Sequence, residues 1–273
     1  MTRAARIVFL AVLLAVPQAA SAGGRPDPFP GVAASYLLKI DGKAVWEHLP
    51  DRRLPPASLT KIMTALLVLE QGRLREVTTV SRAASRETGT RLGLAEGERI
   101  RVAELLAAAL IGSANDAARA LAEHVDGTEE RFVKRMNGRA AALGMRGTRF
   151  ANATGHHHPE HYSTANDLAA LAEAALADER FARLAATVRL DVLSADGRRT
   201  FPLENKNEMV GRYKGVEGVK SGYTREAGPC LAVFAVRGKT RVLLVLLNAP
   251  NRWWDAVAML DNAFSLSAAV PAR

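Results

Sequence analysis

The sequence predicts an α/β protein of the α+β type: an antiparallel sheet built from both chain ends, flanked by helices, with a mostly helical inserted subdomain over roughly residues 60–186. Two observations predict it. Strand-like runs cluster near the two ends, at 32–48 and again at 216–247, whereas Ala- and Leu-rich helical patterns fill the middle. The chain of 273 residues, 48% hydrophobic and 24% charged, is also large enough to bury a core of that size.

Taken in order, the first residues read as a targeting segment. Arg3 and Arg6 form a basic start, Ile7 to Val16 an apolar run and Ala20-Ser21-Ala22 a small-residue cleavage site. Residues 1–22 are therefore expected to be a signal peptide cleaved near Ala22, and residues 23–30 a loose Gly/Pro-rich lead-in. The apolar run is too short for a comfortable permanent span, and no Cys follows it to carry a lipid. Val32 to Ile40 and Lys43 to His48 read as strands around an Asp41-Gly42 hairpin turn. Pro55-Pro56 brings the chain in extended. A helix apolar nearly all round then runs from Ser58 to a stop at Gly72.

Short extended pieces, Val77 to Ser81 and Glu98 to Arg101, flank a polar loop. Helices follow over Val102–Leu110, from Asp116 to Val125, over Glu129–Leu143 and over Leu168–Leu176. A hairpin is expected from Thr187–Leu193 and Arg198–Phe201 around Asp196-Gly197. Lys220-Ser221-Gly222 falls in a strand-like run, Val216 to Thr224. Leu231–Val236 and Thr240–Leu247 read as strands, and a last helix starts at Asn251 and reaches Phe264. Neither an internal repeat nor a low-complexity linker is evident.

Composition narrows the function. Loss of Arg3 and Arg6 with the leader lowers the formal charge from +9 to +7, a basic surface. Aromatics are sparse and no nucleic-acid module is recognisable, so no nucleic-acid partner is expected. The single cysteine, Cys230, lies in an apolar run and reads as a buried strand residue. His156, His157, His158 and His161 invite a metal hypothesis, but adjacent histidines on one loop cannot all face one ion.

Ser58 and Lys61 are three apart at the start of the apolar helix, so they share a face and can touch. Free N–H groups at the helix start suit an oxyanion, and a lysine desolvated by that helix should have a lowered pKa and act as a base toward the serine. Two more polar triplets stand out: Ser113-Ala114-Asn115 in a turn between two helices, and Lys220-Ser221-Gly222 on a strand. A cleft lined by all three would hold a nucleophile, a base, hydroxyl relays, an amide and a second cation. Gly222 would leave the strand open to a substrate backbone.

These triplets resemble the motif set of penicillin-binding proteins and class A β-lactamases. The close resemblance, from about Ala33 to Phe264, is to the low-molecular-mass penicillin-binding proteins, the serine D-alanyl-D-alanine carboxypeptidases. It extends to Ser58 through Ala65, Asn152-Ala153-Thr154-Gly155, Ser163 through Ala169, Asn205-Lys206-Asn207 and Gly215 through Thr224. It implies a β-lactamase/transpeptidase-like catalytic domain over 31–267, with neither a C-terminal β-domain nor a membrane anchor. The implied enzyme is exported and periplasmic or extracytoplasmic, acts on peptidoglycan stem peptides and is acylated by β-lactams. It needs no cofactor and no metal.

By the same resemblance Ser58 is the nucleophile, Lys61 its base, and Ser113 with Lys220 the proton route to the leaving amine. Asn115 would bind a substrate amide, Ser221 the terminal carboxylate, and the backbone N–H groups of Ser58 and Tyr223 the oxyanion. Ser221 stands where the family usually has Thr, which keeps the hydroxyl. Lys206 stands where Arg is common, which loses bidentate geometry. Arg252 is a further candidate for the carboxylate. Alternatives stay open: a D,D-endopeptidase using the same serine on crosslinks, a β-lactamase, or a non-catalytic peptidoglycan-binding relative. Between Ser113 and Lys220 no E-x-x-L-N-type run supplies the β-lactamase glutamate.

Overall fold

The computed structural model describes residues 27–268. The expected leader, 1–22, and the first part of the lead-in lie outside them. Nine strands and eight helices are formed by the described residues. Five strands make the main sheet: β1 (Ser35–Ile40), β2 (Lys43–His48), β7 (Val216–Thr224), β8 (Gly228–Arg237) and β9 (Thr240–Leu247). Their order is β2-β1-β9-β8-β7 and each neighbouring pair is antiparallel. The strand from the start of the chain thus pairs with the last one, Tyr36 opposite Leu246, as the sequence predicts.

The sheet is covered on both faces, which explains the unbroken apolar run in β9. Successive side chains of a strand point to opposite faces. Leu243, Val245 and Leu247 enter one core with Leu37 and Ala232; Val242, Leu244 and Leu246 enter the other with Tyr36, Leu38 and Val233. The second core is closed by α8 (Arg252–Ala268), through Ala256, Met259, Leu260 and Ala263.

The first core holds α1 (Lys61–Gln71), whose residues 61 to 69 are all buried. Around it lie α3 (Val102–Leu110), α4 (Asn115–Asp126), α5 (Glu129–Ala142) and α6 (Ala165–Leu176). Thr128 and Thr164 cap α5 and α6 by accepting from the Arg131 and Asp167 N–H groups. No described helix is long and apolar enough to cross a membrane.

Several elements differ from the sequence reading. Ser58 lies in a 3-10 turn, Ala57–Thr60, and the α-helix proper starts only at Lys61. The Arg82–Gly97 loop opens with one short helical turn, α2 (Arg82–Ser85), between β3 (Val77–Thr79) and β4 (Arg99–Arg101). An additional helix, α7 (Glu179–Ala186), follows α6; Asp178 caps it and Phe181 and Ala185 anchor it. The hairpin is present as β5 (Arg189–Leu193) and β6 (Thr200–Glu204), with its second strand further along than expected. A local Leu/Phe pattern of only eight residues explains why α7 is easily missed.

Candidate active site

The three triplets, far apart in sequence, meet beside the start of α1. Ser58 is half-buried, and Lys61 is completely buried. The Lys61 Nζ lies 3.0 Å from Ser58 Oγ, 2.7 Å from Asn115 Oδ1 and 2.6 Å from the Thr154 carbonyl oxygen. The three partners satisfy the amine in either form: as an ammonium it donates to all three, and once neutral it donates to Asn115 and Thr154 and turns its lone pair to the Ser58 hydroxyl. Burial, and then the nearby Lys220 charge, hold the Lys61 amine well below the ordinary lysine range. The sequence reading had a serine and a lysine in reach of each other; the third partner, a backbone carbonyl, carries no side-chain signal.

The turn before α1 is held in an unusual shape. Ala57 has φ of +49°, a left-handed value for a residue with a Cβ. Its carbonyl accepts from Thr60 Oγ1 at 2.8 Å. Thr60 Oγ1 is in turn 2.8 Å from His161 Nε2. His161 Nδ1 accepts from the Ala151 N–H at 3.3 Å, so Nε2 carries the hydrogen and donates to Thr60. Burial above all, with the neighbouring His158 and His157, lowers the His161 pKa to about 4, which keeps this relay neutral.

The loop from Asn152 to His161 forms the wall behind that turn. Asn152 Oδ1 accepts from the N–H groups of Thr154 and Gly155, and Thr64 Oγ1 donates to the Ala153 carbonyl at 2.7 Å. Gly155, at φ +89°, lies so close that an added Cβ would sit 2.0 Å from the Ala57 carbonyl oxygen. The histidines therefore part company: His161 points to Thr60, His156 points to Asn115 and Glu87, and His157 and His158 are exposed.

Ser113 sits in the turn between α3 and α4 with φ of +61° and is 7% exposed. Asn115 opens α4. Its Nδ2 donates to the Thr88 carbonyl at 2.7 Å, which fixes the amide with its oxygen on Lys61. This turn is tied to the third triplet through Lys206. The Lys206 N–H donates to the Ile111 carbonyl, and its own carbonyl accepts from Ser221 Oγ at 2.7 Å. Lys206 thus meets Ser221 through its backbone, while its side chain is exposed.

β7 is the last strand of the sheet and runs past Ser58. The approach is close: a Cβ on Gly222 would be 2.8 Å from the Ser58 nitrogen and 3.0 Å from Ala57 Cβ. Lys220 is buried, its Nζ donating to the Ser221 carbonyl at 3.2 Å. Burial, with Arg252 and Lys206 nearby, lowers its pKa to about 7. Arg252 Nη1 donates to the Gly222 carbonyl at 2.6 Å and its guanidinium stacks on Trp253. Tyr223 exposes 65% of its surface at the mouth. All ten expected site residues lie on these three converging segments, on the Lys206 loop or at the start of α8. Cys230, opposite Gly222 in β8, is fully buried, and burial pushes its thiol up to about 11, out of the nucleophile range.

The family model of D-alanyl-D-alanine carboxypeptidases, peptidase family S11, matches residues 30–251. The chain belongs to this family. Among D-alanyl-D-alanine carboxypeptidases it is 40% identical over 242 residues to DacF of Bacillus subtilis, a match covering 85% of this chain and 62% of the relative. It is 32% identical to a D-alanyl-D-alanine endopeptidase of Pseudomonas aeruginosa, covering 90% of this chain and 83% of that one. A DD-transpeptidase from Streptomyces, solved as a single-residue mutant, superposes with a TM-score of 0.82 at 29% identity, covering 86% of this chain and 98% of that chain. The family, the antiparallel sheet with its helices and the penicillin-binding-protein fold expected from the sequence are thereby established.

Proposed function

We propose that this chain is a serine D-alanyl-D-alanine carboxypeptidase, which removes the terminal D-alanine of a peptidoglycan stem peptide through an acyl-enzyme on Ser58. The observation that carries this reading is the buried Lys61 amine, 3.0 Å from Ser58 Oγ and held there by the Asn115 side-chain oxygen and the Thr154 carbonyl. As the base, it takes the Ser58 proton while Oγ adds to the carbonyl of the penultimate D-alanine. The Ser58 N–H, close against β7, and the Tyr223 N–H receive the oxyanion, a donor pair of a kind worth roughly 3–4 kcal/mol to the transition state. Ser113 and Lys220 return the proton to the leaving amine. Water then frees the shortened peptide.

The terminal carboxylate fits the cationic end of the cleft. Lys220, Ser221 and Arg252 stand there, and the Ser221 hydroxyl exchanges the Lys206 carbonyl for the substrate. β-Lactams carry the same carboxylate beside a strained amide and acylate Ser58. The basic, apolar and small-residue order of residues 1–22 supports export to the extracytoplasmic side, where this substrate resides.

The second reading, a D,D-endopeptidase, is supported by the 32% identical endopeptidases of P. aeruginosa and Escherichia coli, which this chain spans over 83% and 82% of their length. Mass spectrometry separates the two. The mature chain is incubated with a pentapeptide monomer and with a crosslinked dimer. Loss of one alanine from the monomer is the expected result. Splitting of the dimer with the monomer intact would make the chain an endopeptidase.

A further inference from the structure

Asn115 fixes Lys61, but something must fix Asn115 and balance the charge behind it. The residues that do so come from two loops that supply none of the motif triplets. Glu87, just after α2, places Oε2 3.1 Å from His156 Nε2. The same Nε2 lies 3.3 Å from Asn115 Nδ2. Because Nε2 donates to the carboxylate, the Asn115 contact is packing rather than a second hydrogen bond, and it backs the amide against Thr88 and Lys61. The sequence Glu87, His156, Asn115, Lys61, Ser58 is therefore one continuous line of contacts.

The charges around it are unequal. From α4, Arg119 reaches Glu87 at 3.3 Å, but it also binds Glu129 of α5 at 2.6 Å and Glu123 at 2.9 Å. One guanidinium serves three carboxylates. The Asp116 carboxylate is turned onto the N–H groups of Leu92, Gly93 and Leu94, and His157 and His158 face outward. Glu87 and, after it, Asp116 remain within electrostatic reach of Lys61, each carboxylate favouring the charged lysine. Burial alone would raise the Glu87 pKa; its contacts with His156 and Arg119 outweigh that and hold the carboxyl ionised.

We propose that Glu87 and His156 are positioning residues for the Ser58–Lys61 pair: they hold the Asn115 amide in place and present Lys61 with a carboxylate already hydrogen-bonded to the His156 ring instead of a bare one. This rests on the reading of Ser58 as nucleophile and Lys61 as base. The lysine must be neutral to act, so acylation rises with pH through the Lys61 titration. Removing the Glu87 charge makes the neutral amine easier to reach, and removing the His156 ring, which leaves the Glu87 carboxylate barer, makes it harder.

The test is the pH profile of the acylation rate constant with a fluorescent penicillin, for the mature wild-type chain, Glu87→Gln and His156→Gln. Glu87→Gln should move the acid limb down, and His156→Gln should move it up, each by about half a pH unit, or threefold in rate at the foot of the limb. Thermal unfolding monitors the fold of each variant. Limbs that stay in place, or that move in the same direction, would overturn the proposal. If Glu87→Gln does not fold, His156→Gln decides alone: an unmoved or lowered limb overturns it. A wild-type chain that is not acylated at all would instead refute the reading of Ser58 and Lys61 on which the proposal rests.

Discussion

Lys61→Met loses acylation by β-lactams and hydrolysis of D-alanyl-D-alanine by on the order of 10⁴-fold or more, while the protein stays folded. General-base transfer alone contributes about 10²–10⁴-fold, and residues that act as one unit are lost together. Methionine fills the volume of the lysine stem but cannot take a proton. It also leaves the Asn115 Oδ1 and Thr154 carbonyl without their donor, at about 1–3 kcal/mol each. Against that stands the removal of a buried amine whose charged form is strongly disfavoured. The opposing effects leave the melting temperature changed by a few degrees in either direction, whereas the rate collapses. Stopped-flow labelling and thermal unfolding read the two separately. A variant labelled within tenfold of wild type would remove Lys61 from the role of base.

Gly155→Ala has the largest expected effect on stability among substitutions that touch no catalytic side chain. The new methyl would sit 2.0 Å from the Ala57 oxygen, 2.4 Å from its carbon and 2.9 Å from the Ser58 nitrogen. These are backbone atoms, so no side chain can swing aside. The residue would also have to hold φ +89°, which only glycine does without strain. We expect a loss of about 3 kcal/mol, or roughly 6–12 °C in melting temperature for a domain of this size. What folds should be acylated at least tenfold more slowly, because the strain falls on the turn that aims Ser58. Wild-type melting and labelling would show that the Asn152–His161 loop does not press on that turn.

Much of the sheet was legible in the sequence because its signals are local. Asp41-Gly42 names a hairpin, and the long apolar runs 231–236 and 240–247 name strands buried on both faces. The pairing of β1 with β9 follows from the position of these runs at opposite ends of the chain. The short helix α7 was missed although Asp178 caps it and Phe181, Leu184 and Ala185 keep a helical spacing, because that pattern lasts only eight residues.

The triplets were legible as residue types. Their geometry was not, because it depends on backbone groups. The third partner of Lys61 is the Thr154 carbonyl, and Lys206 reaches Ser221 by its carbonyl while its ammonium faces outward. The left-handed Ala57 has no signature in composition, since alanine rarely takes that conformation. In the histidine cluster the divergence was legible, since adjacent histidines on one loop cannot all face one ion, but the partners were not. The loop turns His161 to Thr60 and His156 to Glu87. Glu87 lies 29 residues before Asn115's neighbour Asp116, and nothing in the sequence links it to the later histidine.

The most direct test of the central claim is to locate the covalent adduct. The chain from residue 23 onward and its Ser58→Ala variant are incubated with a penicillin, digested with trypsin and analysed by tandem mass spectrometry. Cleavage after Arg53 and Lys61 isolates Ser58 in the peptide Leu54–Lys61. One penicilloyl group on Ser58 of the wild type and none on the alanine variant is the expected result. An adduct on another residue, equal labelling of Ser58→Ala, or no adduct on a correctly folded wild-type chain would contradict it.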